Sequence, residues 1–248
     1  MSERANSIER IGRKMRIGIL KADETPSGLF DRHGEYDGFY RRLLEVHGFE
    51  FVVFPVFDET FPEDLEQADG WLVTGSSHSA WDELPWINRL KVLIRKIYED
   101  QRPLVGVCFG HQIIASALGG RVDRSPGGWN VGPVLYSRRD GGEDQTILAW
   151  HQDQVTVLPP GATVVGSSPT CEYAILRYGS HALTMQCHPE LTPEYVQDLL
   201  SQHDGFLPEE MRLRTAQVVH QDLQADNVAI EIADFFKGAI ARRRLEGL

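Results

Sequence analysis

Four short apolar, β-branched runs separated by stretches of helical spacing constrain this chain more than any other feature. MRIGILK at 15–21, FEFVVFPV at 49–56, GWLVTG at 70–75 and PLVGVC at 103–108 have the composition of strands. Between them, DGFYRRLLEVHG at 37–48 and LPWINRLKVLIRKIYED at 84–100 repeat apolar residues at helical spacing. Strands alternating with helices predict an α/β fold: a mostly parallel sheet with helices on both faces. The 248 residues, 42% of them apolar, are read as an N-terminal arm at 1–14 and a single domain at 15–248.

After residue 120 the texture changes. GRVDRS, VGPVLYS, QTILAW, QVTVLP, TVVGS, EYAILRY and HALTMQCH are short strand candidates punctuated by Gly, Pro and Asp, which predicts a small antiparallel extension. Helical patterns follow at 192–203, 207–223 and 227–244, the last two forming a C-terminal helical extension from about 205 to 248. Neither an internal repeat nor a long linker interrupts the pattern.

Charge narrows the partners. Twenty-five Lys and Arg against 36 Asp and Glu leave a formal charge of −11, which repels phosphate backbones and anionic lipid, so neither nucleic acid nor membrane is an expected partner. Arg242, Arg243 and Arg244 are read as a solvated helix end favoured by the helix dipole. Three cysteines, Cys108, Cys171 and Cys187, are too few and too scattered for a disulfide framework or a C-x-x-C metal knuckle. With no apolar run near the roughly 18 residues of a membrane span, a cytoplasmic protein is expected.

Cys108 stands at the end of a strand pattern, and FGHQIIASALGG continues from it as a helix ending in Gly119 and Gly120. Reactive groups of an open α/β sheet collect at this carboxyl edge. Gly106 and Gly110 occupy the positions where side chains would collide across a sharp strand-to-helix turn, the logic of a nucleophile elbow. A thiol there meets the positive end of the helix dipole, which favours the thiolate, and the turn presents sulfur to solvent. The Phe109 N–H lies free for an oxyanion. The alternative is a buried structural cysteine.

A thiol nucleophile needs a base, and the base an orienter. CHPE at 187–190 supplies His188 and Glu190, which share a face if the segment is extended, with Cys187 on the other. Glu190 then holds the Nδ1 proton and leaves Nε2 toward Cys108. A metal site from Cys187, His188 and Glu190 is poor, because alternation divides the ligands between faces. No metal or other cofactor is expected.

GVCFGHQ together with CHPE resembles the class I glutamine amidotransferase family, whose G-x-C-x-G-x-Q and H-P-E motifs match at Gly106, Cys108, Gly110, Gln112, His188, Pro189 and Glu190. VTGSS at 73–77 resembles the family's oxyanion loop, and AWHQDQV at 149–155 its glutamine-contacting loop. The resemblance implies a flavodoxin-like fold and a small-molecule substrate, glutamine or a γ-glutamyl amide. Cys108 is then the nucleophile, and His188 the acid and base held by Glu190. Gly75, Ser76 and Phe109 supply the oxyanion donors, and Gln112, Trp150 and His151 contact substrate. Ser76 departs from the glycine more usual at its position. His78 is assigned no catalytic role.

Members of this family usually pass ammonia to a synthase. No G-x-x-x-x-G-K-[ST] or G-x-G-x-x-G phosphate loop occurs here, so the expectation is either stand-alone work or service to a separate synthase partner. The segment 21–45, KADETPSGLFDRHGEYDGFYRRLLE, predicts a long loop beside the first strand, with Asp31, Arg32, His33 and Tyr36 as candidate contacts. This resembles stand-alone, GMP-synthase-like members, among them γ-glutamyl peptidases. The first reading is a cysteine-dependent hydrolase acting through a γ-glutamyl thioester. Two alternatives are a glutaminase subunit feeding ammonia to a synthase and a non-catalytic binding protein.

Overall fold

The structure, a computed structural model, describes residues 14–202 and 207–247. Apart from Lys14, the expected N-terminal arm lies outside the described residues. β1 (Arg16–Lys21) is followed by α1 (Ser27–His33), α2 (Tyr36–Leu44), β2 (Glu50–Pro55), β3 (Gly70–Val73), α3 (Pro85–Glu99), β4 (Leu104–Val107) and α4 (Phe109–Ala117). Then come β5 (Arg121–Arg124), β6 (Asn130–Arg138), β7 (Gln145–His151), β8 (Asp153–Val157), β9 (Ala162–Ser168), β10 (Cys171–Tyr178) and β11 (Ala182–Met185). The chain closes with α5 (Pro193–Gln202), α6 (Glu209–Val218) and α7 (Ala225–Glu246).

Nine strands form one sheet in the order β2-β1-β3-β4-β11-β10-β9-β6-β7. The first five run parallel and the rest pair antiparallel, so the expected antiparallel extension continues the main sheet. Among the described residues, β5 and β8 form a separate two-stranded ribbon. β11 is the last strand in sequence yet slots beside β4, in register Thr184 to Gly106. That insertion brings the segment after Met185 to the same edge as Cys108.

Both faces of the sheet are covered. On one side α3 buries Trp86, Ile87, Leu90, Ile94 and Ile97, spaced to share a stripe, against Ile113 and Ile114 of α4. On the other, Phe39 and Tyr40 of α2, Val196 and Leu200 of α5 and Ile232 and Phe236 of α7 close a second core. Each such fully buried large side chain contributes roughly 1.5–3 kcal/mol.

Three local expectations change. The segment after β1 carries the helix α1 within the expected loop, because Leu29 finds the core and Arg32 and His33 bond to Asp198 of α5. The helical pattern at 207–223 narrows to α6, whose buried face is limited to Thr215. At the basic helix end Arg243 pairs with Asp100 at 2.9 Å and Arg244 with Asp69 at 3.3 Å. Those arginines fasten the end of α7 to loops of the sheet domain.

Candidate active site

Four segments reach the site from the carboxyl ends of four adjacent parallel strands: 22–24 after β1, 74–77 after β3, Cys108 after β4 and 186–190 after β11. An open sheet gathers its chemistry at this edge. Side chains bind the neighbouring segments together, as where Ala22 N–H donates to Thr74 Oγ1 at 2.9 Å.

Cys108 is a point of backbone strain. Its φ of 51° and ψ of −106° lie where an L residue is disfavoured, a cost of about 1–3 kcal/mol that the surroundings must hold. They hold it with two bonds: Cys108 N–H donates to Met185 O at 2.8 Å, and Gln112 N–H donates to Cys108 O at 3.0 Å. A Cβ at Gly106 would fall 2.6 Å from the Gly110 carbonyl, and one at Gly110 would fall 2.2 Å from Val73 O. Gly106→Ala is therefore expected to lower stability by about 2–3 kcal/mol, read as a shifted urea midpoint at unchanged slope.

The sulfur is less open than the elbow predicts. Cys108 is only 6% exposed, with Sγ 3.9 Å from Trp150 O. It reaches solvent through a two-lobed cleft, of about 240 Å³ on one side and 160 Å³ on the other. Ser76, Ser77, Cys108 and Trp150 border both lobes.

His188 and Glu190 meet as their residue types suggest, by a different backbone. β11 ends at Met185 and residues 186–190 turn, so the pair lies on a bend and not on an extended segment. His188 Nδ1 nonetheless sits 2.7 Å from Glu190 Oε1, and the His188 backbone N–H donates to Leu148 O at 2.8 Å. Both side chains are buried. Nε2 has no hydrogen-bond partner of its own among the described residues. Burial alone would lower the imidazole pKa, but the Cys108 thiolate and the Glu190 carboxylate outweigh it and hold the pKa well above the usual value.

Tyr40, which the sequence presents as one more apolar position of a helix, joins this network. Its hydroxyl donates to Glu190 Oε1 at 3.0 Å and accepts the Gly75 N–H at 2.9 Å. Burial first, and the Glu190 charge second, push its pKa well up, so it stays a donor. One hydroxyl ties the loop after β3 to the carboxylate behind His188.

The other expected contacts sort by their bonds. Gly75 N–H is committed to Tyr40, whereas Ser76 N–H donates to no group among the described residues. Phe109 N–H opens the first turn of α4, where helix geometry leaves it unbonded. Gln112 borders the larger lobe, yet its amide NH2 donates to Asp153 O at 2.8 Å and Gln186 Oε1 at 3.1 Å, leaving only its oxygen uncommitted. Trp150 divides the lobes, and His151 lines the larger one with Nδ1–H donating to Asp153 O at 3.0 Å. Tyr36 borders the smaller lobe. Asp31 is exposed, and Arg32 and His33 hold Asp198 instead of lining the cleft. His78 lies on the rim of the larger lobe with its ring against Trp86 at 5.5 Å.

Several cleft residues escape a reading of the sequence. Asp23 accepts the Ser77 N–H at 2.6 Å and so shapes the loop after β3. Arg124 and Trp129 line the larger lobe, Tyr195 and Leu199 the smaller. Tyr195 and Leu199 share one face of α5, a four-residue spacing that reads as ordinary core and carries no mark of a cleft.

Two buried histidines predict acid sensitivity. Burial, reinforced by His151, pushes His111 down to about 3, and burial pushes His151 down to about 4. Both are neutral when folded but protonate near 6.5 when unfolded, so stability present above that value is lost as pH falls toward the folded pKa. At pH 5 each costs about 2 kcal/mol. His188 does not offset this, since the contribution of its raised pKa is already complete below about 6.5. Urea midpoints at pH 7 and pH 5 check it, and His111→Asn should flatten the dependence.

The family model for glutamine amidotransferase class-I matches residues 29–202. Gamma-glutamyl peptidase 2 of Arabidopsis thaliana is 30% identical over 240 residues, 90% of this chain and 96% of the relative. A glutamine-hydrolyzing GMP synthase subunit of Methanopyrus kandleri is 30% identical over 189 residues, 69% of this chain and 93% of that one. A crystal structure of a glutamine amidotransferase from Thermotoga maritima shares the fold with a TM-score of 0.70 at 19% identity, covering 92% of this chain and 99% of that chain. A family match across most of the chain and a relative 30% identical over 90% of it lead to one conclusion: the chain belongs to the class I glutamine amidotransferase family.

Proposed function

We propose that this protein hydrolyses the side-chain amide of γ-glutamyl compounds through a thioester on Cys108. The observation that carries the reading is the 2.7 Å bond between His188 Nδ1 and Glu190 Oε1, with Nε2 left unpaired beside the strained elbow. The Cys108 thiolate attacks the amide carbon, and Ser76 N–H and Phe109 N–H take up the charge that develops on oxygen. His188 gives its Nε2 proton to the departing nitrogen as the carbon–nitrogen bond breaks. It then takes a proton from water, whose oxygen attacks the thioester and releases the γ-carboxylate and the thiolate. Glu190 holds the ring in place throughout and stabilises its charge.

The larger lobe suits the amino-acid end of the substrate. Arg124 offers a cation to the α-carboxylate, and Gln152 and the Asp153 region offer polar partners to the amino group. We read residues 15–248 as one working domain. Three unpaired cysteines fit a reducing cytoplasm.

The likeness to a GMP synthase subunit over 93% of its length is what supports a second reading, in which the chain supplies ammonia to a separate synthase. One measurement separates the two. The purified chain, without partner or nucleotide, is expected to release glutamate from at least one member of a panel of glutamine and γ-glutamyl amides. Inertness toward the whole panel, followed by glutaminase activity when a co-purifying synthase is added, would replace the first reading with the second.

A further inference from the structure

The two lobes of the cleft differ in chemistry, and Cys108 stands where they meet. The larger is bordered by Gln112, Arg124, His151, Gln152 and Asp153. The smaller is walled by Pro26, Tyr36, Trp150, Leu191, Tyr195 and Leu199, with Asp23 and Glu24 at its edge. We infer that the smaller lobe is a subsite for the leaving amine, selecting γ-glutamyl amides of bulky apolar amines that carry no carboxylate beside the scissile nitrogen. The inference rests on the hydrolase reading above and names its substrate class.

Three observations carry it. His188 borders only the smaller lobe, and the group that protonates the leaving nitrogen must face it, so whatever that nitrogen carries lies among these apolar walls. The walls are held in place: Arg32 grips both oxygens of Asp198 at 2.8 and 2.7 Å, His33 reaches the same carboxylate at 2.7 Å, and the His33 ring packs edge-on against Tyr195 at 5.0 Å. α1 and α5 are thereby joined, which fixes Pro26 and Tyr36, the residues flanking α1 on the lobe, relative to Tyr195 and Leu199 of α5 before any ligand enters. Among the described residues no lysine or arginine borders this lobe, whereas the carboxylates of Asp23 and Glu24 do. A carboxylate on the leaving group would be repelled there, and ammonia would leave the apolar walls in contact with water. Burying one aromatic side chain corresponds to roughly 10- to 100-fold in kcat/KM.

Steady-state hydrolysis of glutamine, γ-glutamyl-phenethylamide and γ-glutamyl-phenylalanine by the whole chain tests this. The phenethylamide is expected to exceed glutamine at least tenfold in kcat/KM and to exceed γ-glutamyl-phenylalanine, and Glu24→Gln should narrow the latter gap. Leu199→Gln should reduce kcat/KM for the phenethylamide at least fivefold more than for glutamine. Equal rates on all three, preference for the carboxylate-bearing amide, or equal losses in the variant would overturn the subsite. A measurement on the unaltered chain stands apart from turnover and from any folding defect in a variant: phenethylamine should slow alkylation of Cys108 by iodoacetamide, and phenylacetate should not. Protection without turnover of any amide would remove the hydrolase reading while leaving the lobe's preference for apolar amines standing; absence of protection would overturn that preference itself.

Discussion

Cys108→Ala is expected to lower turnover of any γ-glutamyl amide by about four orders of magnitude or more while the fold survives. The loss is large because the thiolate forms the bond to carbon and no neighbouring group can take its place. Cys171→Ala and Cys187→Ala should keep turnover at a packing cost of about 1 kcal/mol each. Burial pushes the Cys171 thiol up to about 12, and burial, then the Glu190 charge, pushes Cys187 higher still, so both remain protonated thiols at neutral pH. A glutamine-like diazoketone should therefore add one label, on Cys108. Mass spectrometry placing the label on Cys171 or Cys187 would contradict the assignment.

His188→Ala should cost about 10⁴-fold in kcat, because it removes both the acid that protonates the leaving nitrogen and the base that activates water. Glu190→Gln should be milder, about 10²- to 10⁴-fold in kcat with KM little changed. The amide keeps a hydrogen-bonding group near Nδ1 but removes the charge that stabilises the imidazolium. Accumulation of acyl-enzyme in stopped-flow experiments would locate the defect in each variant. Loss of activity to chelators and its restoration by zinc would set the whole account aside in favour of a metal site.

Local spacing makes much of this site legible. Gly106 and Gly110 around Cys108 announce the elbow, because a tight turn forbids a Cβ at either position whatever the rest of the chain does. The pairing of His188 with Glu190 can be read for a similar reason, since two residues so close in sequence meet through either an extended segment or a turn. The backbone that joins them is the turn, not the extended segment that alternation suggests. β11 must end at Met185 for its successors to bend over β4, and no local pattern encodes that.

Contacts across long separations are beyond any periodicity. Tyr40 lies 150 residues from Glu190 and Asp198 lies 166 from Arg32, so the residues that position the carboxylate and brace the helices around the smaller lobe look like ordinary core and surface until the chain is folded. The commitment of Gly75 N–H to Tyr40, which turns attention to Ser76 as an oxyanion donor, is of the same kind. The alternation of strands and helices, the elbow cysteine and the His–Glu pair follow from residue order, because each depends on periodicity, sterics or hydrogen bonding within a few residues. The shape of the cleft, the partners of its polar atoms and the depth of its sulfur depend on which distant strands and helices pack together, and hydrophobic burial, which has no direction along the chain, made that choice.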